Sequence, residues 1–320
     1  MPFTTGHTPN RVSAMELVVG SFEDLEATFY EVLYPEHQWR EIVSEASVDT
    51  AINPGATTKS YRVKDWRGRA TWRGRHDQSI PTVGRTLDKN LVPIEVGGIA
   101  GIFDREDARQ VAYGYDESLL TELPAIMRMA CDNHVEGTVF FGDGNVNFDG
   151  WLDYTGVDRS DAALNAGATS RLWINKTSDE IQFDINDAIS TVWINSKLIH
   201  MPDTVYLPPV SYAYITSRRM SDASDKSIME YMTTNNVYTA RTGQPLKFVP
   251  IRYLDDAGSG STARMVVAET NPRNIVLPFP LPYDLLEPQE WGFDVHLYAE
   301  YKFGSFHVRY PGSMAYIDGI

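Results

Sequence analysis

One long helical segment runs straight into a polar turn, and this pair constrains the fold more than any other feature of the chain. The segment that starts at Asp116 reads DESLLTELPAIMRMACDNHVEGTVF. Its apolar residues recur at steps of three and four, which is typical of a helix with one buried face. Pro124 is expected to offset the first turn from the rest. We expect His134, which lies on the apolar face, to be a packed core residue. The apolar face comprises Leu119, Leu120, Leu123, Met127, Ala130, Cys131, His134 and Val135.

The polar turn that follows reads FFGDGNVNFDGWLDYTGVD, residues 140–158, and it has the composition of a calcium loop. An EF-type loop needs Gly at its sixth position and a bidentate acidic residue at its twelfth. A loop that starts at Asp143 places Phe148 and Tyr154 there, and one that starts at Asn145 ends on Gly156. We therefore predict no metal site, because a loop rich in Asn, Asp and Gly is the usual way to turn a chain. What the segment connects stays open at this point.

Positive charge is concentrated in one segment of an acidic chain. The whole chain has a net charge of −15, yet residues 59–75 read KSYRVKDWRGRATWRGR, with a single acidic residue. Tyr61 and Val63 alternate with Arg62 and Lys64, which predicts strands. We interpret residues 51–98 as a long two-stranded hairpin, the finger. The finger either is solvated or docks on an acidic surface of another copy. Its predicted contact residues are Lys59, Arg62, Lys64, Trp66, Arg67, Arg69, Trp72, Arg73 and Arg75.

Composition excludes several classes of protein. The acidic balance disfavours nucleic-acid binding by phosphate neutralisation and binding to an anionic membrane surface. No window holds the ~18 apolar residues of a spanning helix. The start, MPFTTGHTPN, does not have the pattern of a signal peptide. Cys131 is the single cysteine, so an internal disulfide framework is excluded, and we expect folding in a reducing cytoplasm.

The two ends of the chain differ in pattern. Residues 13–45 show helical periodicity, and Pro35 is expected to break that helix. Beyond residue 173 the pattern is mixed, and the last thirty or so residues alternate as strands hinged at Gly304. A final hairpin would allow His296 and His307 to face each other, and we interpret such a pair as structural rather than as a site.

The sequence contains no signature of an enzyme. It has no G-x-S-x-G elbow, no G-x-x-x-x-G-K-[ST] loop and no H-E-x-x-H. A pair of glycosidase carboxylates stays open, because such residues need be close only in space. We predict a protein without catalytic activity and without a cofactor.

The order of these parts resembles the major capsid protein of tailed bacteriophages, which has the Hong Kong 97-type fold. The likeness covers nearly the whole chain and is carried by three stretches. They are the helix with its turn from FDREDARQ to WLDYTGV, the segment LPPVSYAYITSRRMSDASDKSIMEYMTTNN, and the tail EPQEWGFDVHLYAEYKFGSFHVRYPGSMAYIDGI. Some members of this family join subunits through a Lys–Asn isopeptide bond. No matched Lys, Asn and catalytic Glu can be placed here, so that chemistry is not transferred.

This resemblance implies an α+β fold with an N-terminal arm, an extended β-hairpin loop, a peripheral domain with a long spine helix, and an axial domain. It also implies that the polar turn is the hinge between the spine helix and the axial domain, with the residues Gly142, Asp143, Gly144, Asp149 and Gly150. The implied boundaries are 1–50 for the arm with its amphipathic helix, 51–98 for the extended loop, 99–142 for the spine part of the peripheral domain, 143–262 for the axial domain, and 263–320 for the C-terminal strands of the peripheral domain.

The implied function is structural: hexamers and pentamers of the chain build the icosahedral head shell of a virion assembled in the bacterial cytoplasm. Portal, scaffold and decoration proteins are implied partners, double-stranded DNA is enclosed rather than specifically bound, and no membrane is involved. Two alternatives stay open. One is the shell of a cellular, encapsulin-like nanocompartment, and the other is a soluble carbohydrate-active or calcium-binding protein.

Overall fold

The computed structural model describes residues 36–68, 82–106, 109 and 118–320. The helix predicted over residues 13–45 falls mainly outside these residues, as does the tip of the finger. The body described below is the unit His37–Ile320. Its helices are α1 (Trp39–Ile42), α2 (Ser118–Phe141), α3 (Ser178–Asn195), α4 (Pro209–Ser217), α5 (Ile228–Thr234) and α6 (Val237–Thr242). None of the helices within the described residues is long and apolar enough to cross a membrane.

Thirteen strands lie within the described residues. They are β1 (Val48–Asp49), β2 (Thr58–Arg67), β3 (Gly84–Asp104), β4 (Asp158–Asp161), β5 (Thr204–Leu207), β6 (Lys247–Pro250), β7 (Arg264–Ala268), β8 (Ile275–Pro278), β9 (Leu281–Leu285), β10 (Gln289–Trp291), β11 (Asp294–Gly304), β12 (His307–Val308) and β13 (Met314–Asp318).

Helix α2 is the long helix that the sequence predicts. Met127, Cys131, Val135 and Val139 are buried along one face, so the three- and four-residue spacing does mark the packed side. Pro124 is the seventh residue of α2, past the first turn, so the helix lacks the hydrogen bond that an N–H at this position would donate. The expectation for His134 is wrong, because this residue is exposed. Its imidazole still lies against the rings of Tyr301 and Phe303 at the edge of the core.

The finger is built on one very long strand. Residues Gly84–Pro93 of β3 pair with β2 in antiparallel register, from Arg67↔Gly84 to Thr58↔Pro93. The same strand then pairs with β11, from Ile94↔Gly304 to Asp104↔Asp294. Strand β3 therefore continues unbroken across the boundary drawn between residues 98 and 99. The resulting sheet has the order β10-β11-β3-β2, and β9 also pairs with β11.

A second five-stranded sheet forms the centre of the body, in the order β4-β13-β7-β5-β6. Strand β7 is buried throughout because both faces of the sheet are covered. Val266 and Ala268 pack into a core shared with α2, whereas Met265 and Val267 pack into a core shared with α3, α4 and α5. This sheet joins strands from the segments assigned to the axial and the peripheral domain.

The C-terminal pairing differs from the predicted hairpin. Strand β11 pairs with β3, β9 and β10, whereas β12 pairs with β8, where His307 is opposite Val276. His296 and His307 therefore do not face each other. The chain does leave the sheet at Gly304, where an added Cβ would lie only 2.9 Å from the carbonyl oxygen of Pro93. Gly is required at that position because the backbones approach so closely.

Candidate functional site

The predicted contact residues of the finger are divided between described and undescribed parts of the chain. Lys59, Arg62 and Lys64 lie on β2, and Trp66 and Arg67 end that strand. The remaining four, Arg69, Trp72, Arg73 and Arg75, lie outside the described residues.

The register of the finger collects cations on one face. Residues directly opposite each other in an antiparallel pair lie on the same face of the ribbon. Arg62 is opposite Lys89, Lys64 is opposite Leu87, and Trp66 is opposite Arg85. The side chains of Arg62, Lys64, Arg85 and Lys89 are all exposed, so this cationic face is free of cover within the described part of the chain. Like charges opposite each other destabilise an isolated ribbon, which favours a partner that carries negative charge.

Lys59 belongs to the base of the finger rather than to the cationic face. Its Nζ forms an ion pair with Asp49 on β1. The hydrogen bond from Lys59 is the main cause that lowers the pKa of Asp49, against partial burial. Lys59 therefore fixes the finger to the body of its own chain.

An aromatic contact supports the same base. The Tyr61 ring lies 4.7 Å from the His307 ring, and a hydrogen bond of 2.9 Å joins Tyr154 Oη to His307 Nδ1. Burial, with smaller contributions from the charges of Arg309 and Lys59, lowers the pKa of His307 to about 4. His307 is neutral at neutral pH and packs as an aromatic residue, so the finger rests on the body instead of standing alone.

The predicted hinge is a tightly packed turn. Asp143 and Phe148 exchange backbone hydrogen bonds of 3.0 and 2.9 Å, and Asp143 Oδ1 accepts the N–H of Asn145 at 2.9 Å. Asp143 thus closes an Asx turn. No group of three or more acidic, His or Cys side chains in the described residues is placed to hold a metal ion.

Two glycines allow this turn to fold back onto the end of α2. Gly142 has φ +74°, and a Cβ there would lie 2.4 Å from the carbonyl oxygen of Phe148. A Cβ on Gly150 would lie 2.4 Å from the carbonyl carbon of Phe141. The backbone then runs against the helix, where the N–H of Trp151 donates to Val139 at 2.8 Å. By contrast, a Cβ on Gly144 would meet open space, so Gly is not required sterically there. The remaining predicted hinge residue, Asp149, donates its backbone N–H to Ser305 Oγ at 3.1 Å.

A buried carboxylate links α2 to two distant segments. Glu136 is 1% exposed and forms an ion pair with Arg252. Its Oε2 lies 2.7 Å from His37 Nδ1. Gln38 adds a bond from its Nε2 to the carbonyl oxygen of Pro250, 3.2 Å, and accepts the N–H of Arg252 at 2.9 Å. The start of the described body is thereby held against both the helix and the end of β6.

A second buried pair holds the central sheet. The guanidinium of Arg264 on β7 makes two parallel hydrogen bonds to Asp318 on β13, of 2.6 and 2.9 Å. Arg264 Nη1 also donates to the carbonyl oxygen of Leu152 at 2.5 Å, and the guanidinium lies over the Tyr316 ring at 4.8 Å. Burial opposes ionisation of Asp318, but hydrogen bonds from Arg264 and Ser259 outweigh it and keep the pKa of this carboxyl below its usual value.

Comparison with known proteins decides the family. The sequence model of the family described as "Major capsid protein" matches residues 68–320. The chain belongs to the major capsid protein family.

Solved capsid structures agree with this membership. The capsid of Myoviridae Phage XM1 has a TM-score of 0.78 at 14% identity and covers 98% of this chain and 100% of the phage chain. Mycobacterium phage Bobi has a TM-score of 0.59 at 14% identity, covering 97% and 99%. The capsid of an empty GTA particle has a TM-score of 0.57 at 13% identity, and the match covers 97% of this chain and 99% of the GTA chain. No curated protein matches the chain by sequence. The predicted α+β, Hong Kong 97-type fold is confirmed.

For a major capsid protein the role is structural, as part of a capsid shell. Two residues of the cationic face, Arg85 and Lys89, escaped the sequence prediction because they lie beyond the basic stretch. The register of the hairpin, which the sequence does not reveal, places Arg85 opposite Trp66 and Lys89 opposite Arg62. Arg264 and Asp318 were missed because 54 residues separate them and no local pattern marks such a pair.

Proposed function

We propose that this major capsid protein assembles, as hexamers and pentamers, into the icosahedral head shell of a tailed phage. One observation carries the proposal: the family match is joined by a full-length structural likeness to a phage capsid chain. The shell encloses double-stranded DNA without binding it specifically, because a chain of net charge −15 repels phosphate overall. The protein has no catalytic activity, is made in the cytoplasm of the bacterial host and ends in the virion. Portal, scaffold and decoration proteins are its further partners.

Each segment forms the part of the capsid fold that the resemblance implies for it. Residues 1–50 form the arm, 51–98 the extended loop, 99–142 the spine part of the peripheral domain, 143–262 the axial domain, and 263–320 the closing peripheral strands. The turn of Gly142, Asp143, Gly144, Asp149 and Gly150 is the joint between helix and axial domain. Its steric contacts support a joint with a fixed angle rather than a loose one.

The cationic face of the finger contacts an acidic surface of the adjacent subunit. A single exposed ion pair is worth about 0–1 kcal/mol, so the contact depends on several cations acting together. Arg62 and Arg85 suit this role because a guanidinium binds a carboxylate through two parallel hydrogen bonds. Neighbouring subunits of net charge −15 repel each other, and the finger offsets that repulsion where they touch. The predicted contact residues Arg69, Trp72, Arg73 and Arg75 lie outside the described residues and belong to the same proposed contact.

Electron microscopy of the purified chain tests the proposal. We expect closed particles of uniform size, and we expect particles from infected cells to hold DNA. A monodisperse 36.0 kDa monomer at high concentration would overturn the proposal. Particles that enclose a protein cargo in place of DNA would instead support a cellular nanocompartment.

A further inference from the structure

Three exposed apolar side chains lie at and just beyond the C-terminal end of helix α3. Ile194, Leu198 and Ile199 are all exposed there, and Ile199 is 74% exposed. We name these three residues the knob. Isolated apolar side chains on a surface are common, whereas several that are exposed close together are typical of a contact site.

The backbone at the knob has an energetically unfavourable conformation. Lys197 and Leu198 have φ angles of +55° and +68°, in the left-handed region that side chains other than Gly rarely adopt. Ser196 fixes the loop, because its Oγ accepts the N–H of His200 at 3.0 Å. The N–H of Leu198 also donates to the carbonyl oxygen of Trp193 at 2.8 Å. Strain of this kind is retained where the surrounding structure imposes it, and it is concentrated at functional sites.

The opposite end of α3 borders an apolar cavity of 370 Å³. Helix α3 begins at a capping box, in which Thr177 and Glu180 satisfy each other's N–H groups. The residues just before the cap line the cavity together with α4. We name this cavity the hole; its apolar lining includes Leu172, Trp173, Ile174, Val210 and Tyr214. Ile174 is 70% exposed and Val210 is 73% exposed, so the rim is apolar too.

The geometry points to a second copy as the occupant of the hole. Knob and hole adjoin opposite ends of an 18-residue helix, about 27 Å apart at 1.5 Å per residue, so a subunit cannot fill its own hole with its own knob. Charge is complementary, since exposed Lys197 is the chain neighbour of Leu198 in the knob, and Asp255 lines the hole. A contact between two different patches of one chain is heterologous, and it closes into a ring when the rotation fits.

We infer that the knob of one subunit inserts into the hole of the next around each capsomer ring. This inference rests on the proposed function, because it needs a shell of identical subunits. It adds to that function a specific axial contact that is separate from the finger.

Cysteine cross-linking in assembled shells tests the direction of the contact. A chain with Ile199→Cys and Val210→Cys should form, on oxidation, a ladder that ends in covalent rings of five and six subunits. Either substitution alone should stay monomeric on a non-reducing gel, and Cys131, which is buried, supplies the same background in every variant. Ile199→Cys paired with Phe183→Cys is the matched control, because Phe183 is an exposed apolar residue of the same helix that does not line the hole. No ladder is expected from that pair.

If the cysteine pair itself weakens assembly, a charge substitution in the knob tests the same contact. Ile199→Asp should raise the subunit concentration needed for shell formation about tenfold or more, because a carboxylate would enter an apolar contact. Phe183→Asp should leave it unchanged, and circular dichroism should show both variants folded.

Intact shells that give no ladder would overturn the inference and leave the proposed function standing. Covalent dimers from Ile199→Cys alone would also overturn it, since they indicate knob against knob. Shell formation by Ile199→Asp at the wild-type subunit concentration would overturn the inference as well. Failure of the wild-type chain to form any shell would overturn the proposed function and this contact with it.

Discussion

Removing the charge of Asp318 should destabilise the subunit strongly. In Asp318→Asn the guanidinium of Arg264 loses an ionic partner that binds it through two hydrogen bonds. Both side chains are 2% exposed, so water cannot replace the lost carboxylate. Arg264 keeps the carbonyl oxygen of Leu152 and the face of the Tyr316 ring. Breaking a buried pair on one side costs about 3–5 kcal/mol, and because these two contacts remain we expect a loss of about 3 kcal/mol.

Urea unfolding of unassembled subunits measures this loss as a lower midpoint with an unchanged slope. The matched control is Asp153→Asn, which breaks the exposed pair with Arg159 and should cost about 0–1 kcal/mol. Changing both partners, Arg264→Met with Asp318→Leu, should recover part of the loss, because no buried charge then stays unpaired.

The pH dependence follows from the lowered pKa of Asp318. A carboxyl whose pKa is lower in the folded state stabilises that state above the unfolded pKa, so its contribution is complete at neutral pH. The contribution is lost as the pH falls below about 4 and through the folded pKa, and Asp318→Asn should flatten that part of the stability curve. A variant as stable as wild type, with the same acid sensitivity, would refute the reasoning.

Three further predictions concern the finger and the turn. The charge of the cationic face is reversed by Arg62→Glu, Lys64→Glu, Arg85→Glu and Lys89→Glu together. This variant should form no empty shells even when DNA is absent. If it forms normal empty shells and only fails to retain DNA, the contact between subunits is contradicted. Gly142→Ala should lower the free energy of unfolding by about 1–3 kcal/mol, because it forces φ > 0 on a side chain and meets the Phe148 carbonyl, whereas Gly144→Ala should change it by less than about 0.5 kcal/mol. Calorimetry should detect no submillimolar calcium binding to the turn, and binding that disappears in Asp149→Ala would contradict the hinge interpretation.

Local periodicity predicts the parts of this fold that depend on one buried face. The spacing along α2 marks its packed side, and the apolar run of β7 reflects a strand covered on both faces. The alternation of Tyr61 and Val63 with cations identifies β2 through the two-residue period of a strand, although Val63 is 41% exposed. Each period follows from the geometry of the backbone, so the pattern is present in the sequence itself.

Contacts between distant segments leave no such pattern. A final hairpin that would allow His296 and His307 to face each other was expected because its strands are adjacent in sequence, yet β12 crosses to β8. The pairs of Glu136 with Arg252 and of Arg264 with Asp318 depend on how sheets and helices pack. His134 fits the apolar spacing of α2 and still lies exposed, because period alone does not fix where a packed face ends.

The uninterrupted course of β3 has a mechanical consequence. Its 21 residues span about 70 Å at 3.3 Å per residue, with the finger at one end and the sheet beneath α2 at the other. The hydrogen-bonded partner changes from β2 to β11 between Pro93 and Ile94, without a gap in the ladder. Because the strand is continuous, we expect a displacement of the finger to be transmitted to the sheet that β3 forms with β11, so that the two tilt together.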